Sequence, residues 1–256
     1  MTPALPTVDL LGMPLARVDE NGLLDHLFSE MAAGRGGWLV TANLDILRRY
    51  AKEPQIRQLY GEADLTVADG MPLVWAANLL GNRLPERVAG SALIYRFADY
   101  AAREGRSLYL LGGDPGAAEA AASVLCERAP GLRIVGHSAA RFSAIPSAVE
   151  LDNAAAALDQ AQPDLLLVGL GSPKQEHVIR ALRARFPGMW MVGVGISFSF
   201  VAGHVRRAPA WMRKSGLEWL HRFAQEPRRL GRRYLIEDLP FAAELFARVL
   251  WARTRS

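Results

Sequence analysis

Cysteine is nearly absent, with Cys126 alone among 256 residues. A single thiol excludes an internal disulfide framework and any metal cluster built from cysteine, and it fits a reducing compartment. No D-x-D triplet occurs, and no His, Asp and Glu fall at metal-ligand spacing, so neither a resident metal nor another cofactor is expected. The five histidines are scattered and read as structural or exposed. Long apolar runs are missing too. The longest uncharged apolar stretch, residues 189–203, is interrupted by glycines and too short to span a bilayer. The chain does not open on a basic region followed by an apolar run, so it does not read as carrying a signal peptide, and a protein kept in the cytosol is expected. Nothing resembles a nucleic-acid-binding motif, an internal repeat or a low-complexity tract.

What is present is 50% hydrophobic residues, enough for a large core at the upper end of single-domain size. The formal charge of +4 is unevenly spread. From His204 onward there are 12 Lys/Arg against 5 Asp/Glu, whereas the preceding residues carry 18 against 21. A basic tail following a slightly acidic body suggests an anionic partner for the last fifth of the chain, with a solvated basic face as the alternative.

Apolar runs of strand length at 37–41, 65–68, 107–111, 132–136, 164–170 and 189–195 alternate with helix candidates at 91–103, 115–128, 147–161 and 173–186. Continuous apolar strands separated by amphipathic helices predict an α/β doubly wound domain with a mainly parallel sheet. Ligands then bind where the strands end. Residues 78–90, rich in Gly, Pro and charge, read as a loop that could cover the site. From about Val205 the strand signal stops. The chain divides into a core, residues 1–204, and a helical basic appendage, residues 205–256. In the latter, 234–255 places Leu235, Leu239, Phe241, Leu245, Phe246, Val249 and Leu250 at mostly helical spacing, with Arg248, Arg253 and Arg255 among them. Such a helix either packs on the body or lies on an anionic lipid surface.

Polar residues at the strand ends are the candidates for chemistry. Thr41 and Asn43 follow the first strand and Asp69 the second; each could meet a ligand, and each type also suits a helix cap. Arg87 offers a planar fork to a carboxylate or phosphate, or a partner to a nearby acid. Gly112 and Gly113 form a strand-to-helix turn whose backbone N–H groups could bind a diphosphate. Their spacing is not G-x-G-x-x-G, which disfavours a nicotinamide-dependent enzyme. The stretch from Gly169 through Gly171, Ser172 and Pro173 to Lys174, Gln175 and Glu176 repeats that turn with a richer polar set. Arginines three to seven apart in the tail can converge on one anion.

Taken in order, these segments resemble the WecG/TagA/CpsF family of bacterial glycosyltransferases over nearly the whole chain. The resemblance runs from Val8-Asp9-Leu10-Leu11-Gly12-Met13-Pro14 through Thr41-Ala42-Asn43, Ala68-Asp69-Gly70, Pro85-Glu86-Arg87-Val88-Ala89-Gly90 and Leu111-Gly112-Gly113. It continues through Gly169-Leu170-Gly171-Ser172-Pro173-Lys174-Gln175-Glu176, Arg207-Ala208-Pro209, Gly216-Leu217-Glu218-Trp219-Leu220 and Glu226-Pro227-Arg228-Arg229. It implies a Rossmann-like core, a metal-independent inverting transfer from a UDP-sugar to a polyprenyl-diphosphate-linked acceptor, and an appendage that closes over the site and touches the inner face of the membrane. It puts the general base at Asp69, pocket positions at Thr41, Asn43, Arg87 and Gln175, and diphosphate contacts at Arg222, Arg229 and Arg232. Two stretches depart from the pattern. Phe198-Ser199-Phe200 stands where many members look like Phe-Asp-Phe near the nucleotide pocket, and residues 136–142 lack the glycine and tyrosine often found there. The donor and the oligomeric state, monomer or homo-oligomer, stay open. The rival class is a non-catalytic nucleotide-binding module recruited to membranes.

Overall fold

A computed structural model describes residues 4–209, 211–212 and 215–254. It opens on a hairpin, β1 (Thr7–Leu10) and β2 (Met13–Ala16), paired antiparallel with Leu10 opposite Met13. Leu11 and Gly12 turn the chain with φ of 55° and 85°, the positive values that a two-residue loop needs to match the strand twist. Alternation then buries Val8, Leu10, Met13 and Leu15.

The main body follows as α1 (Glu20–Ala32), β3 (Gly37–Ala42), α2 (Leu44–Lys52), α3 (Pro54–Gly61), β4 (Leu65–Ala68), α4 (Met71–Leu79) and α5 (Gly90–Glu104). It continues with β5 (Ser107–Gly112), α6 (Ala117–Arg128), β6 (Arg133–Ser138), α7 (Ala148–Ala161), β7 (Leu165–Gly169), α8 (Lys174–Arg183), β8 (Trp190–Gly193) and α9 (Ser197–Val201). Six strands form one sheet in the order β4-β3-β8-β7-β5-β6, every neighbouring pair parallel. Successive residues of a strand enter opposite layers: Trp38 and Val40 join one core cluster and Leu39 the other, as do Leu166 and Val168 against Leu165 and Leu167. Burial on both faces is why these strands read as unbroken apolar runs. The α/β architecture with a mainly parallel sheet flanked by helices is thus the one the sequence predicts.

Chain direction across the sheet diverges at its middle. β3 continues to β4 on one side, while its other neighbour, β8, arrives last. A crevice opens at such a point beyond the strand ends.

The boundaries differ in detail. The run at 132–136 becomes Arg133–Ser138, and the run at 189–195 stops at Gly193, because Gly195 turns with φ 54°. The four predicted helices appear within a few residues as α5 to α8. Ser147 starts α7 through a capping box in which its side chain and that of Glu150 each accept from the other's backbone N–H. Between α4 and α5 the loop is shorter than 78–90, since α4 runs to Leu79 and α5 begins at Gly90.

After α9 come α10 (Glu218–Gln225), α11 (Pro227–Gly231), a π-helical turn (Arg232–Asp238) and α12 (Leu239–Arg253). The single helix read at 234–255 is therefore a π-turn running into α12; Arg255 lies outside the described residues. Phe241, Leu245 and Val249, four residues apart on one face of α12, are buried in the cluster that also holds Leu73 and Val74 of α4. Burying three such side chains stabilises the docked helix by roughly 5–9 kcal/mol before the entropy of ordering it is counted. Packing on the body is thus realised, while Leu235, Ile236, Leu239, Leu250 and Trp251 stay exposed.

Candidate active site

The crevice holds a cavity of about 550 Å³ between the ends of β3, β4, β7 and β8 and the appendage. Thr41, Asn43, Asp69, Arg87, Gly171, Gln175, Arg222 and Arg229 all line it, although they are drawn from six separate stretches of the sequence.

Asp69 follows β4 directly. Its backbone N–H donates to the carbonyl of Ala42 at 2.7 Å, which pins it beside β3. The carboxylate does not cap α4. Its Oδ2 instead accepts from the N–H of Gly90, across the cavity mouth at the start of α5, at 3.0 Å. Gly90 is required there, since a Cβ would stand 2.9 Å from Thr41 Oγ1. Burial raises the carboxyl of Asp69 to about 7 and outweighs the opposing pull of Arg87 and of the Gly90 N–H. Asn43, by contrast, does cap: its Oδ1 accepts from the Ile46 N–H at 3.1 Å, leaving the amide nitrogen for a ligand.

Gln175 is fixed on two sides. Its Oε1 accepts from the Gly195 N–H at 3.0 Å and its Nε2 donates to Glu176 Oε1 at 3.0 Å. Gly193 makes room for it, because a Cβ there would come within 2.7 Å of Gln175 Cδ. Glu176 is buried behind this amide and does not reach the cavity; burial pushes its carboxyl upward. Lys174 is half-buried at the start of α8, also outside the lining.

Gly112 and Gly113 have the positive φ expected of the turn, 92° and 88°, but they stand away from the cavity wall. Their lack of side chains serves packing: a Cβ on Gly112 would meet Leu170 Cδ2 at 2.6 Å, and one on Gly113 would meet Phe198 Cδ2 at 3.1 Å. Ser199 is buried on α9, also outside the lining, and its Oγ donates to Asp114 Oδ2 at 2.9 Å.

The appendage closes the opposite side. Arg87 is bridged to Glu218, the first residue of α10, at 3.0 Å, so the reading of Arg87 as partner to an acid is realised inside the cavity. Arg222 lies over the ring of Phe200, 5.8 Å from its centroid, and Arg229 pairs with Glu226. Arg232 points away from the cavity; its side chain is 83% exposed and reaches Glu237. Its neighbour Arg233 lines the cavity instead, between Asp45 and Asp238 at 3.4 Å from each. Arg48 joins the same cluster through Asp45, Glu237 and Asp238, tying α2 to the π-turn. Within this cluster Asp238 stands beside a second carboxylate, Asp45. Burial, followed by the charge of Asp45, accordingly raises Asp238 to about 6.

Arg233, Asp45, Asp238 and Glu218 carried no separate signal in the sequence, since their importance arises from the appendage docking on α2 and α5. The doublet Arg232-Arg233 was visible, but which arginine faces inward depends on the π-turn. Aromatic and aliphatic side chains complete the rim, among them Trp75, Trp219, Leu235, Leu239 and Phe246. Among the described residues no three His, Cys, Asp or Glu side chains converge as a metal site would require.

A carboxylate that shares one cavity with several guanidinium groups, at the divergence point of a parallel sheet, suits proton removal next to a departing phosphate. The chain also matches known proteins. The model of the glycosyl transferase WecG/TagA/CpsF family matches residues 8–255. A curated relative from Bacillus spizizenii, an N-acetylglucosaminyldiphosphoundecaprenol N-acetyl-beta-D-mannosaminyltransferase, is 31% identical over 202 residues, covering 77% of this chain and 75% of its own. The chain is a glycosyltransferase and belongs to the WecG/TagA/CpsF family.

Proposed function

We propose that this enzyme moves a hexose or N-acetylhexosamine-type sugar from a nucleotide diphosphate donor of the UDP type to a polyprenyl-diphosphate-linked glycan in surface polysaccharide synthesis, with inversion and without a metal. The observation that carries the proposal is Asp69, a carboxylate raised to about 7 by burial in the lining of a cavity that Arg222, Arg229 and Arg233 also line. Asp69 removes the proton of the acceptor hydroxyl as that oxygen attacks the anomeric carbon from the face opposite the nucleotide. The bond from the anomeric carbon to the β-phosphate oxygen breaks, and the negative charge left on the phosphate falls to the arginines. Thr41, Asn43 and Gln175 orient the sugar hydroxyls. Outside the cavity lining, Ser199 donates its hydroxyl to Asp114, so an acid stands next to the position where many members have one. The family and the relative's acceptor support this reading.

A lipid-linked acceptor brings the chain to the membrane. No helix among the described residues is long and apolar enough to cross one. The exposed Trp219, Leu220, Leu235, Ile236, Leu239, Leu250 and Trp251 on the appendage support contact with the cytoplasmic face of an anionic bilayer. Incubating the protein with a panel of UDP- and GDP-sugars and a short-chain lipid-diphosphate N-acetylhexosamine tests the proposal. It requires one donor to yield a lengthened glycolipid of inverted anomeric configuration; retention, or binding of every donor with no transfer or hydrolysis, would sink it.

A further inference from the structure

Four carboxylates line the cavity: Asp45, Asp69, Glu218 and Asp238. Asp45 and Asp238 are taken up by Arg48 and Arg233, and Asp69 is the proposed base. Glu218 has no part in that reaction, yet the appendage brings it into the cavity lining. Its Oε2 accepts from Arg87 Nη1 at 3.0 Å, and its Oε1 lies 3.7 Å from Arg207 Nε. Arg207 in turn donates from Nη2 to Ser91 Oγ, at the start of α5, at 2.7 Å. The three charged side chains are only 16–18% exposed. They come from the loop before α5, the stretch after α9 and the first turn of α10, so the cluster exists only when the appendage is docked.

The charged groups that face Asp69 are Arg87, Arg207 and Glu218. Both guanidinium groups also act on Asp69, whose ionised form they favour. A carboxylate held by an arginine is a poor proton acceptor, because an opposite charge within a few ångströms favours its ionised form by about 1–3 pH units. We propose that Glu218 is a positioning residue, delivered by the appendage, that takes up the charge of Arg87, which stays on the body, and so leaves Asp69 able to accept the acceptor's proton only while the appendage is closed. The inference rests on the reading of Asp69 as the base. It links closure to reactivity: an open site holds a weak base, and a wasteful attack by water on the donor is suppressed until the appendage has docked.

The test is a carbon-13 NMR titration of the full chain labelled at the aspartate carboxyls, with the Asp69 signal identified by its loss in Asp69→Asn. The wild-type midpoint is expected at about 7. Glu218→Gln should lower it by about 1–3 pH units, a 10- to 1000-fold loss of proton affinity, and Glu218→Asp, which keeps the charge, should recover most of that. Limited trypsin digestion of each variant reads whether the appendage stays docked. A lowered midpoint with wild-type resistance to trypsin supports the proposal. An unchanged midpoint, or a fall that Glu218→Asp does not recover, overturns it. If Asp69→Asn keeps full transfer activity, the base reading falls and takes the catalytic meaning of Glu218 with it; if Asp69→Asn is inactive and the Glu218→Gln midpoint is unmoved, Glu218 alone is refuted.

Discussion

Replacing Asp69 with asparagine should make the protein more stable at alkaline pH, because a buried carboxylate kept for chemistry is a cost to the fold. In the unfolded chain this carboxyl ionises near 3.8, and in the folded chain at about 7. Between those values the folded state holds the extra proton. The group therefore favours folding most below the lower value, and that contribution is lost as the pH rises through the upper one. Roughly three pH units at about 1.4 kcal/mol each set an upper bound of about 4 kcal/mol. Water reaching the cavity side of the carboxylate screens part of this, so about 2 kcal/mol is expected, equivalent to about 4–8 °C in the unfolding midpoint of a chain this size. Asparagine keeps the amide oxygen that Gly90 needs and carries no charge at any pH. Thermal unfolding of ligand-free wild type and Asp69→Asn, followed by circular dichroism from about pH 5 to about pH 8.5, should show an advantage for the variant that is smallest at the acid end, widens up to about pH 7 and levels off above it. An advantage that does not vary with pH, or a variant less stable at the alkaline end, would refute the reasoning.

Two further outcomes follow from packing. Gly193→Ala drives a methyl into the Gln175 carboxamide, so the hydrogen bonds to Gly195 and Glu176 should break. We expect about 1–3 kcal/mol of destabilisation and at least a tenfold loss of kcat/KM, measured by denaturant unfolding and initial rates; wild-type kinetics would show that Gln175 needs no fixed orientation. For the membrane surface, deleting residues 234–256 is uninformative, since it would uncover the core that Phe241, Leu245 and Val249 fill. Ile236→Ser with Leu250→Ser removes only exposed apolar surface and should weaken binding to anionic vesicles by tenfold or more in a sedimentation assay while leaving the fold intact. Undiminished binding would locate the contact elsewhere.

The sheet was legible because its strands are buried on both faces and therefore apolar throughout. The start of α7 was legible because Ser147 and Glu150 stand at capping-box spacing. The hairpin β1–β2 was not read as strands, as two runs of four residues joined through Leu11 and Gly12 leave too little periodicity. For the site, residues at strand ends were found because topology alone puts them at the crevice: Thr41, Asn43, Asp69, Gly171 and Gln175. The glycine pair 112–113 looked like a phosphate cradle. Its φ angles are those of such a turn, but the space beside it is filled by Leu170 and Phe198. The tail could be read for its charge and not for its direction, since a π-turn decides that Arg233 faces inward and Arg232 outward. Glu218 became visible only once Arg87 and Arg207, 120 positions apart in the chain, were seen to share it.

The central claim is that Asp69 is the group that removes the acceptor's proton. The direct measurement is transfer from a cognate nucleotide sugar to a short-chain lipid-diphosphate acceptor by purified Asp69→Asn, with folding verified by its unfolding midpoint and donor binding by calorimetry. The account predicts donor affinity within a few-fold of wild type and a turnover lower by about 10²- to 10⁴-fold. A folded variant that binds donor and transfers sugar at a rate near wild type would contradict it.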